Sequence, residues 1–460
     1  MSVDQHAHET YRVIVLDRTG SLVLMVPDGQ HHILPWIELP RWQRVAENLT
    51  VAVRREWGEE ILGLLELPTT NAGPRYLAAE HLCTRCDSKM SARWVPLSGL
   101  TQDSLIESRD YAVIEEVAKL CKGEIGGAGA GTFVRLGWFY QLRNWIDSVV
   151  EPTGLHLTGE FRQLNASPTF SLVRFETDGS ALWFKAVGEP NLREFAITSG
   201  LAQLFPHYLP PILATRPDWN GWLSSEVKGK LLSEVQEQEL WERTAAALAR
   251  LQIESIDRCS QILCAGARDL GSEVLSKLIQ PFMSVVTRLM EGQTKVPPPV
   301  LDRKDLLALA GFLQSGLNAL DATGVPETLG HLDLNPGNIV VSESGCAFLD
   351  WAETYVGHPL FSLEYLLEHA RRTFGLNSAV EARLTAAYCR QWDGVISPTA
   401  IKDGLVLAPL LAVFAYAVGS DAWNVTEKLE QSATAAYLRS LVRRMHREAT
   451  ELTHRSAVVS

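Results

Sequence analysis

The segment His331-Leu332-Asp333-Leu334-Asn335-Pro336-Gly337-Asn338, with Asp350-Trp351 shortly after it, constrains this chain more than any other feature. Pro336 and Gly337 force a turn, because proline fixes φ and lacks an N–H while glycine tolerates conformations closed to other residues. The turn therefore sits between regular elements. Ile339 to Val341 and Ala347 to Leu349 read as two short strands joined by Ser342-Glu343-Ser344-Gly345. Such a hairpin returns Asp350 towards Asn338, so one carboxylate and one amide oxygen can face a single cation.

That arrangement suits phosphoryl transfer from a nucleotide. One carboxylate, Asp333, orients the attacking hydroxyl and accepts its proton, while Asn338 and Asp350 hold a cation against the phosphates. Mg2+ takes oxygen ligands and retains waters, so few protein ligands suffice. Upstream, Leu182-Trp183-Phe184-Lys185-Ala186 reads as a strand whose aromatic neighbours bury the stem of Lys185. A cation so placed needs a carboxylate partner, and Glu194 on the next expected helix, 191–204, supplies one. Ser167, within Asn165 to Ser171 between two strands, is placed to lie over phosphates. The strand Trp222 to Val227 carries Glu226.

Length and composition fit this reading. The 460 residues suggest roughly three domains, and 46% hydrophobic against 21% charged residues provides for more than one core. A formal net charge of -12 argues against nucleic acid and against an anionic membrane face as partners. The start of the chain has neither a basic nor an apolar leader segment, and the apolar run from Leu405 to Val418 contains Pro409, so a buried helix is expected there. Seven scattered cysteines indicate a reducing, cytoplasmic setting. Cys83-Thr84-Arg85-Cys86 is the single CxxC; only His81 and Cys121 offer themselves as further zinc ligands, so free thiols are the expected state.

Composition divides the chain into residues 1–122, a glycine-rich linker and connecting helix over 123–150, a strand-led part over 151–254 and a mostly helical part over 255–460. In the first part Glu47 is followed by Arg55-Glu56-Trp57-Gly58-Glu59-Glu60. On a helix Glu56, Glu59 and Glu60 share one face, a like-charged cluster that solvent or a divalent cation must neutralise.

Two resemblances follow. The stretch from about 150 to 460 resembles the aminoglycoside phosphotransferase and choline kinase family, whose fold is two-lobed and protein-kinase-like. The family's His-Gly-Asp-Leu-His-Pro-Gly-Asn loop is similar to His331–Asn338, with Leu332 and Asn335 at the positions of its Gly and second His. Its Asp-Trp/Phe-Glu motif resembles Asp350-Trp351-Ala352-Glu353, and Ser362 stands near an expected loop-supporting Asp. The resemblance implies Asp333 as catalytic base, Asn338 and Asp350 as Mg2+ ligands, Lys185 and Glu194 as the phosphate-clamping pair, His331 as a brace, and 222–226 as the segment that meets adenine. It implies ATP or GTP as donor and a hydroxyl on a small molecule as acceptor; Glu353, Glu364 and Glu368 are acids available to hold a cationic acceptor.

The front segment resembles the Nudix box, in register at Glu47, Arg55, Glu56, Trp57, Glu59 and Glu60, with Arg41 and Leu62 at its two glycine positions. That resemblance implies metal binding by Glu56, Glu59 and Glu60. The expected fold is α+β: an N-terminal Nudix-like α/β/α domain, then a small antiparallel-sheet lobe and a large helical lobe. Two further readings stand beside the kinase: a diphosphate hydrolase in the front domain, and a non-catalytic nucleotide sensor. Oligomeric state and acceptor identity are not legible.

Overall fold

A computed structural model describes residues 7–41, 44–67, 74–82, 92–126, 129–343, 345–420 and 422–459. Cys83 and Cys86 lie outside them. The chain forms two compact units: residues 1–195 with 211–226, and residues 196–210 with 227–460.

The first unit opens with β1 (His8–Leu16), β2 (Leu22–Asp28), β3 (His31–Ile33), β4 (Trp36–Pro40), α1 (Val45–Trp57), β5 (Ile61–Glu66), β6 (Arg75–His81), β7 (Arg93–Pro96) and α2 (Ser108–Lys122). The strands make one mixed sheet in which β1 runs parallel to β6 and antiparallel to β2 and β4. The β1–β2 turn is set by Asp17, whose carboxylate accepts from the backbone N–H groups of Thr19, Ser21 and Leu22. Alternation along β1 decides the layering. Tyr11, Val13 and Val15 join Leu49 and Val53 of α1 in one core, and Ile14 and Leu16 join Ile114 and Val117 of α2 in another. The result is an α/β/α arrangement.

Next come α3 (Trp138–Val150), then β8 (Leu157–Ala166), β9 (Ser171–Thr177), β10 (Leu182–Ala186), the start of α4 (Arg193–Leu204), β11 (Ile212–Arg216) and β12 (Gly221–Ser225). The five strands form an antiparallel sheet in the order β11-β12-β10-β9-β8. The sequence points to β8, β9, β10 and β12 but not to β11, whose alternation is blurred by Pro210 and Pro211 on one side and Pro217 on the other.

The core containing Ile14 and Leu16 does not stop at the boundary expected over 123–150. It continues through Phe133, Trp138, Phe139, Leu142 and Ile146 into Val173, Phe175 and Phe184 of the second sheet. Phe139 stacks on Phe175 at 5.7 Å, and Trp145 meets Phe184 edge-on at 6.1 Å. In the same first turn of α3 as Phe139, Tyr140 donates to Leu82 O at 3.2 Å and Arg18 lies 3.7 Å over the Tyr140 ring. The five buried side chains of α3 contribute on the order of 10 kcal/mol of transfer free energy, an upper bound. Gly131, in the segment expected to be a flexible linker, has a packing reason: a Cβ there would meet Pro168 O at 2.0 Å. Next to it, Phe133 N donates to that same carbonyl at 3.1 Å.

Glu80 on β6 is the unusual group of this core. It is fully buried; one carboxyl oxygen accepts from Gly137 N at 2.9 Å, and the other has no hydrogen-bond partner. Burial pushes its pKa up to about 7. The folded state therefore holds a proton that the unfolded chain releases near pH 4.5. This contribution is full at low pH and is lost as pH rises to about 7, an effect of ~3 kcal/mol. Glu80→Gln, which keeps the bond to Gly137, is expected to flatten the decline in denaturant stability between pH 5 and 8. A variant whose profile runs parallel to that of the parent would refute this.

The second unit contains β13 (Lys230–Leu231), α5 (Gln238–Ser255), α6 (Cys259–Cys264), β14 (Arg268–Leu270), α7 (Ser272–Glu291), α8 (Arg303–Ala322), β15 (Thr328–His331), β16 (Ile339–Val341), β17 (Cys346–Phe348), β18 (Thr354–Gly357), α9 (Leu360–Phe374), α10 (Ser378–Cys389), α11 (Pro398–Gly419), α12 (Thr426–Leu429) and α13 (Ser432–Val459). Two three-stranded sheets, β13-β16-β17 and β14-β18-β15, sit among the helices. The hairpin expected after Asn338 is present, with Ile339 opposite Phe348. Asp302 caps α8 with a reciprocal bond to Asp305. Helix α7 carries Pro281 in its interior, a residue that reads as a breaker in sequence. Among the described residues α11 is the one helix long and apolar enough to cross a membrane, and most of it is packed in the core with Phe282 and Leu313.

Candidate active site

In the first unit, antiparallel pairing sets Lys185 between Leu172 and Trp222 on its neighbouring strands. Its Nζ lies 2.5 Å from Glu194 Oε1 in the first turn of α4. Both are shielded, with side chains 15% and 1% exposed. Phe170 and Trp222 each present a ring 5.8 Å from the ammonium. Ser167 closes the tight β8–β9 turn, its Oγ accepting from Phe170 N at 3.0 Å. Thr169 of that turn rests on Gly188, where a Cβ would meet it at 2.2 Å.

Glu226 has a structural partner. Arg174 donates to both of its carboxylate oxygens, at 2.8 and 3.1 Å, and Trp183 Nε1 adds a third bond at 3.3 Å. The Arg174 bonds hold its carboxyl below the usual range. The N–H groups of Ser225 and Glu226 are taken by Pro211 O and Ala181 O, so neither is open to a nucleobase as the resemblance implies.

The loop in the second unit is built on His331, which is 1% exposed at the end of β15. Its Nδ1 accepts from Asp333 N at 3.1 Å, so Nε2 is the donor to Leu349 O at 3.0 Å. The imidazole is thus a neutral brace between the loop and the strand leading to Asp350. Ser362, from α9, accepts from His331 N at 2.9 Å and bonds Tyr355 OH at 3.1 Å. It supports the loop at the place where the family resemblance implies an Asp.

Asp333 is held from three sides. Asn335 Nδ2 donates to Oδ1 at 3.1 Å, Tyr365 OH donates to Oδ1 at 3.3 Å, and Asn338 Nδ2 donates to Oδ2 at 3.2 Å. Asn335 also accepts from Gly337 N at 2.9 Å, capping the turn 336–338. Standing where the resemblance has a second His, it therefore does two tasks with one amide. Because Asn338 spends Nδ2 on Asp333, its Oδ1 is the atom left for a cation. Asp350 has φ 61° and ψ 61°, one of two non-glycine residues at positive φ among those described. Left-handed backbone at a non-glycine residue costs about 1 kcal/mol or more and marks a position where side-chain direction matters.

Leu332, where the resemblance has Gly, is buried among Leu270, Leu317 and Phe361. Room for it comes from Gly419 at the end of α11, where a Cβ would lie 2.5 Å from Leu332 Cδ1. Gly419→Ala is expected to cost about 1–3 kcal/mol by overpacking, and Leu332→Ala is expected to relieve that cost. A double-mutant cycle by urea unfolding should show coupling of about 1 kcal/mol or more; additive effects would remove the compensation.

The front-domain acids are arranged otherwise than expected. Helix α1 ends at Trp57, with Gly58 left-handed at φ 76°, so Glu59 and Glu60 leave the helix and do not share a face with Glu56. Glu56 pairs with Arg55 at 2.5 Å and Glu60 with Arg54 at 3.2 Å. Glu59 is buried against His81 at 2.7 Å, and Glu47 pairs with Arg162 of β8. Among the described residues no three His, Cys, Asp or Glu side chains gather as a metal site. The acids proposed to hold an acceptor are also paired: Glu353 with Arg268 at 2.7 Å, Glu364 with Arg371 at 2.7 Å and Glu368 with Arg372 at 2.9 Å.

Residues 222–396 match the profile of the phosphotransferase enzyme family. No curated protein matches the chain. Solved structures with similarity include macrolide 2'-phosphotransferase MphH of Brachybacterium faecium, at 16% identity and TM-score 0.42, covering 65% of this chain and 97% of that one. Choline kinase LicA of Streptococcus pneumoniae aligns at 13% identity and TM-score 0.43, covering 68% and 99%. An ethanolamine kinase of Plasmodium vivax aligns at 10% identity and TM-score 0.45, covering 76% and 91%. These three are distant likenesses, whereas the profile matches a defined segment, residues 222–396. That segment includes His331, Asp333, Asn338 and Asp350, and the protein is an enzyme that transfers a phosphoryl group to a hydroxyl of a small molecule.

Proposed function

We propose that the donor is ATP or GTP, that Mg2+ is required, and that transfer is in line from the γ-phosphate to an alcohol of a small metabolite. The observation that carries this is the triple hydrogen bonding of Asp333 inside the segment that matches the family. A carboxylate fixed by two amides and a phenol has one orientation in which to receive a hydroxyl proton. The acceptor hydroxyl gives its proton to Asp333 as its oxygen bonds to phosphorus and the bond to the β-phosphate oxygen breaks.

Asn338 Oδ1 and the Asp350 carboxylate are an oxygen donor set that fits Mg2+, and they would hold it. Bound there, it neutralises charge on the transferring phosphates. Lys185, oriented by Glu194, would clamp the donor phosphates, with the Ser167 turn over them. Glu226 would meet the nucleobase through its carbonyl, since its N–H is used. The free cysteines among the described residues accord with a reducing, cytoplasmic setting.

The test is incubation of the full chain with ATP or GTP, Mg2+ and a metabolite extract, followed by mass spectrometry for an added phosphoryl group. A new phosphorylated compound that depends on both nucleotide and Mg2+ is expected. Folded protein that consumes neither nucleotide would overturn the proposal.

A further inference from the structure

Beside Asp333 the second unit has an open cavity of about 650 Å³. Asp333 does not itself line it, but the lining residue Tyr365 reaches Asp333 with its hydroxyl at 3.3 Å. From there an aromatic wall leads outward. Tyr365 packs on Tyr416 at 5.8 Å, and the hydroxyls of Tyr416 and Tyr437 are bonded at 2.8 Å. Flat apolar molecules stack on such walls. Leu332, Phe361 and Val413 add aliphatic and aromatic surface.

The charges of the cavity point one way. It is lined by three carboxylates, Glu364, Glu368 and Glu448, and three guanidinium groups, Arg372, Arg444 and Arg447. All three carboxylates are committed. Glu364 is buried and bound to Arg371, which stands behind the lining and also pairs with Glu381 at 2.6 Å. Glu368 lies within ion-pair distance of Arg371, Arg372 and Arg444, at 3.5, 2.9 and 3.1 Å. Glu448 lies 3.9 Å from Arg444. Arg447, in contrast, is exposed and has no carboxylate within 4 Å among the described residues. Arg372 keeps 63% of its side chain exposed despite its contact with Glu368. His369 adds no charge near neutrality, since burial lowers its pKa. A cationic ligand would meet carboxylates that each already face a guanidinium group, while an anion would find Arg447 without an ion-pair partner among the described residues.

We infer that this cavity takes the phosphoryl acceptor, and that the acceptor is an alcohol on a flat apolar frame carrying a carboxylate or phosphate, not an amine. The inference rests on Asp333 as the base. The hydroxyl sits at Asp333 and Tyr365, the frame stacks along Tyr416 and Tyr437, and the anion meets Arg447 and Arg372.

The test uses three matched probes on the full chain: a hydroxymethyl-naphthoate, its neutral amide, and the analogue bearing an aminomethyl group. Calorimetric titration is expected to give the naphthoate about tenfold tighter binding than the amide, with the amine weakest. Arg447→Ala with Arg372→Ala should erase the difference between naphthoate and amide while leaving the amide affinity within about twofold. Equal affinity for all three, preference for the amine, or no binding by any probe would overturn the inference. ADP formation from Mg2+–ATP in the same mixtures is a separate readout. Tight naphthoate binding without ADP keeps the acceptor chemistry and sinks Asp333 as the working base, whereas ADP formed only with the amine does the reverse.

Discussion

Asp333→Asn is expected to lower kcat for phosphoryl transfer by about 10²–10⁴-fold, the range spanned by loss of a positioned general base, with KM for nucleotide changed little. The geometry gives the reason. Both carboxylate oxygens accept from amide N–H2 groups, of Asn335 and Asn338, and one also accepts from Tyr365. An asparagine has one oxygen to offer, so its own N–H2 must face another N–H2 group and the loop loses a bond as well as a base. Stability should therefore fall by about 1–2 kcal/mol, measured alongside kcat by urea unfolding. A variant that retains parental turnover would remove Asp333 from the chemistry. One that unfolds at ambient temperature would make the loss of turnover structural, and Tyr365→Phe then provides the milder probe, since it deletes one donor and leaves the carboxylate.

The second large effect is expected at Asp350. Two substitutions separate its electrostatic part from its conformational part. Asparagine tolerates left-handed backbone nearly as well as aspartate, so Asp350→Asn should keep Tm within a degree or two. It should lower turnover by on the order of 10²-fold and raise the Mg2+ concentration needed for half-maximal rate. Asp350→Ala should show the same catalytic loss with a further destabilisation of about 1 kcal/mol, because alanine lacks the local compensation that aspartate has at φ 61°. If Asp350→Asn titrates with Mg2+ as the parent does, the residue is not a ligand and its backbone strain needs another explanation.

The geometry of the loop at 331–338 was legible in sequence because its contacts are local. His331, Asp333, Asn335 and Asn338 contact one another within eight residues, and Pro336 with Gly337 dictates the turn that brings them together. Lys185 and Glu194 were legible for a similar reason: a strand and the next helix are close in both sequence and space. What remained hidden depends on distant partners. That Ser362 supports the loop, or that Gly419 makes room for Leu332, cannot be read from a window of residues. The acids Glu353, Glu364 and Glu368 looked available because their arginines are separated by a helical turn or by far more. Helix α1 was read too long because the spacing of Glu56, Glu59 and Glu60 mimics a helical face, and the left-handed Gly58 that ends it sits inside that spacing. The boundary expected over 123–150 followed from glycine content, which reports flexibility only when nothing packs against it; Gly131 is there because Pro168 is.

The core that runs from β1 through α3 into β10 also governs how this protein can be taken apart. A deletion ending near residue 122 would remove one side of this core, including the Gly137 bond to Glu80 and the Tyr140 contacts with Leu82 and Arg18, and leave Phe133, Trp138 and Phe139 only their contacts with later rings. Loss of activity in such a truncation would report unfolding of the strand that carries Lys185, not removal of an independent accessory part. Dissection by point substitution on the intact chain is the informative route, and residues 8–186 with 211–226 should lose structure on heating as one cooperative block.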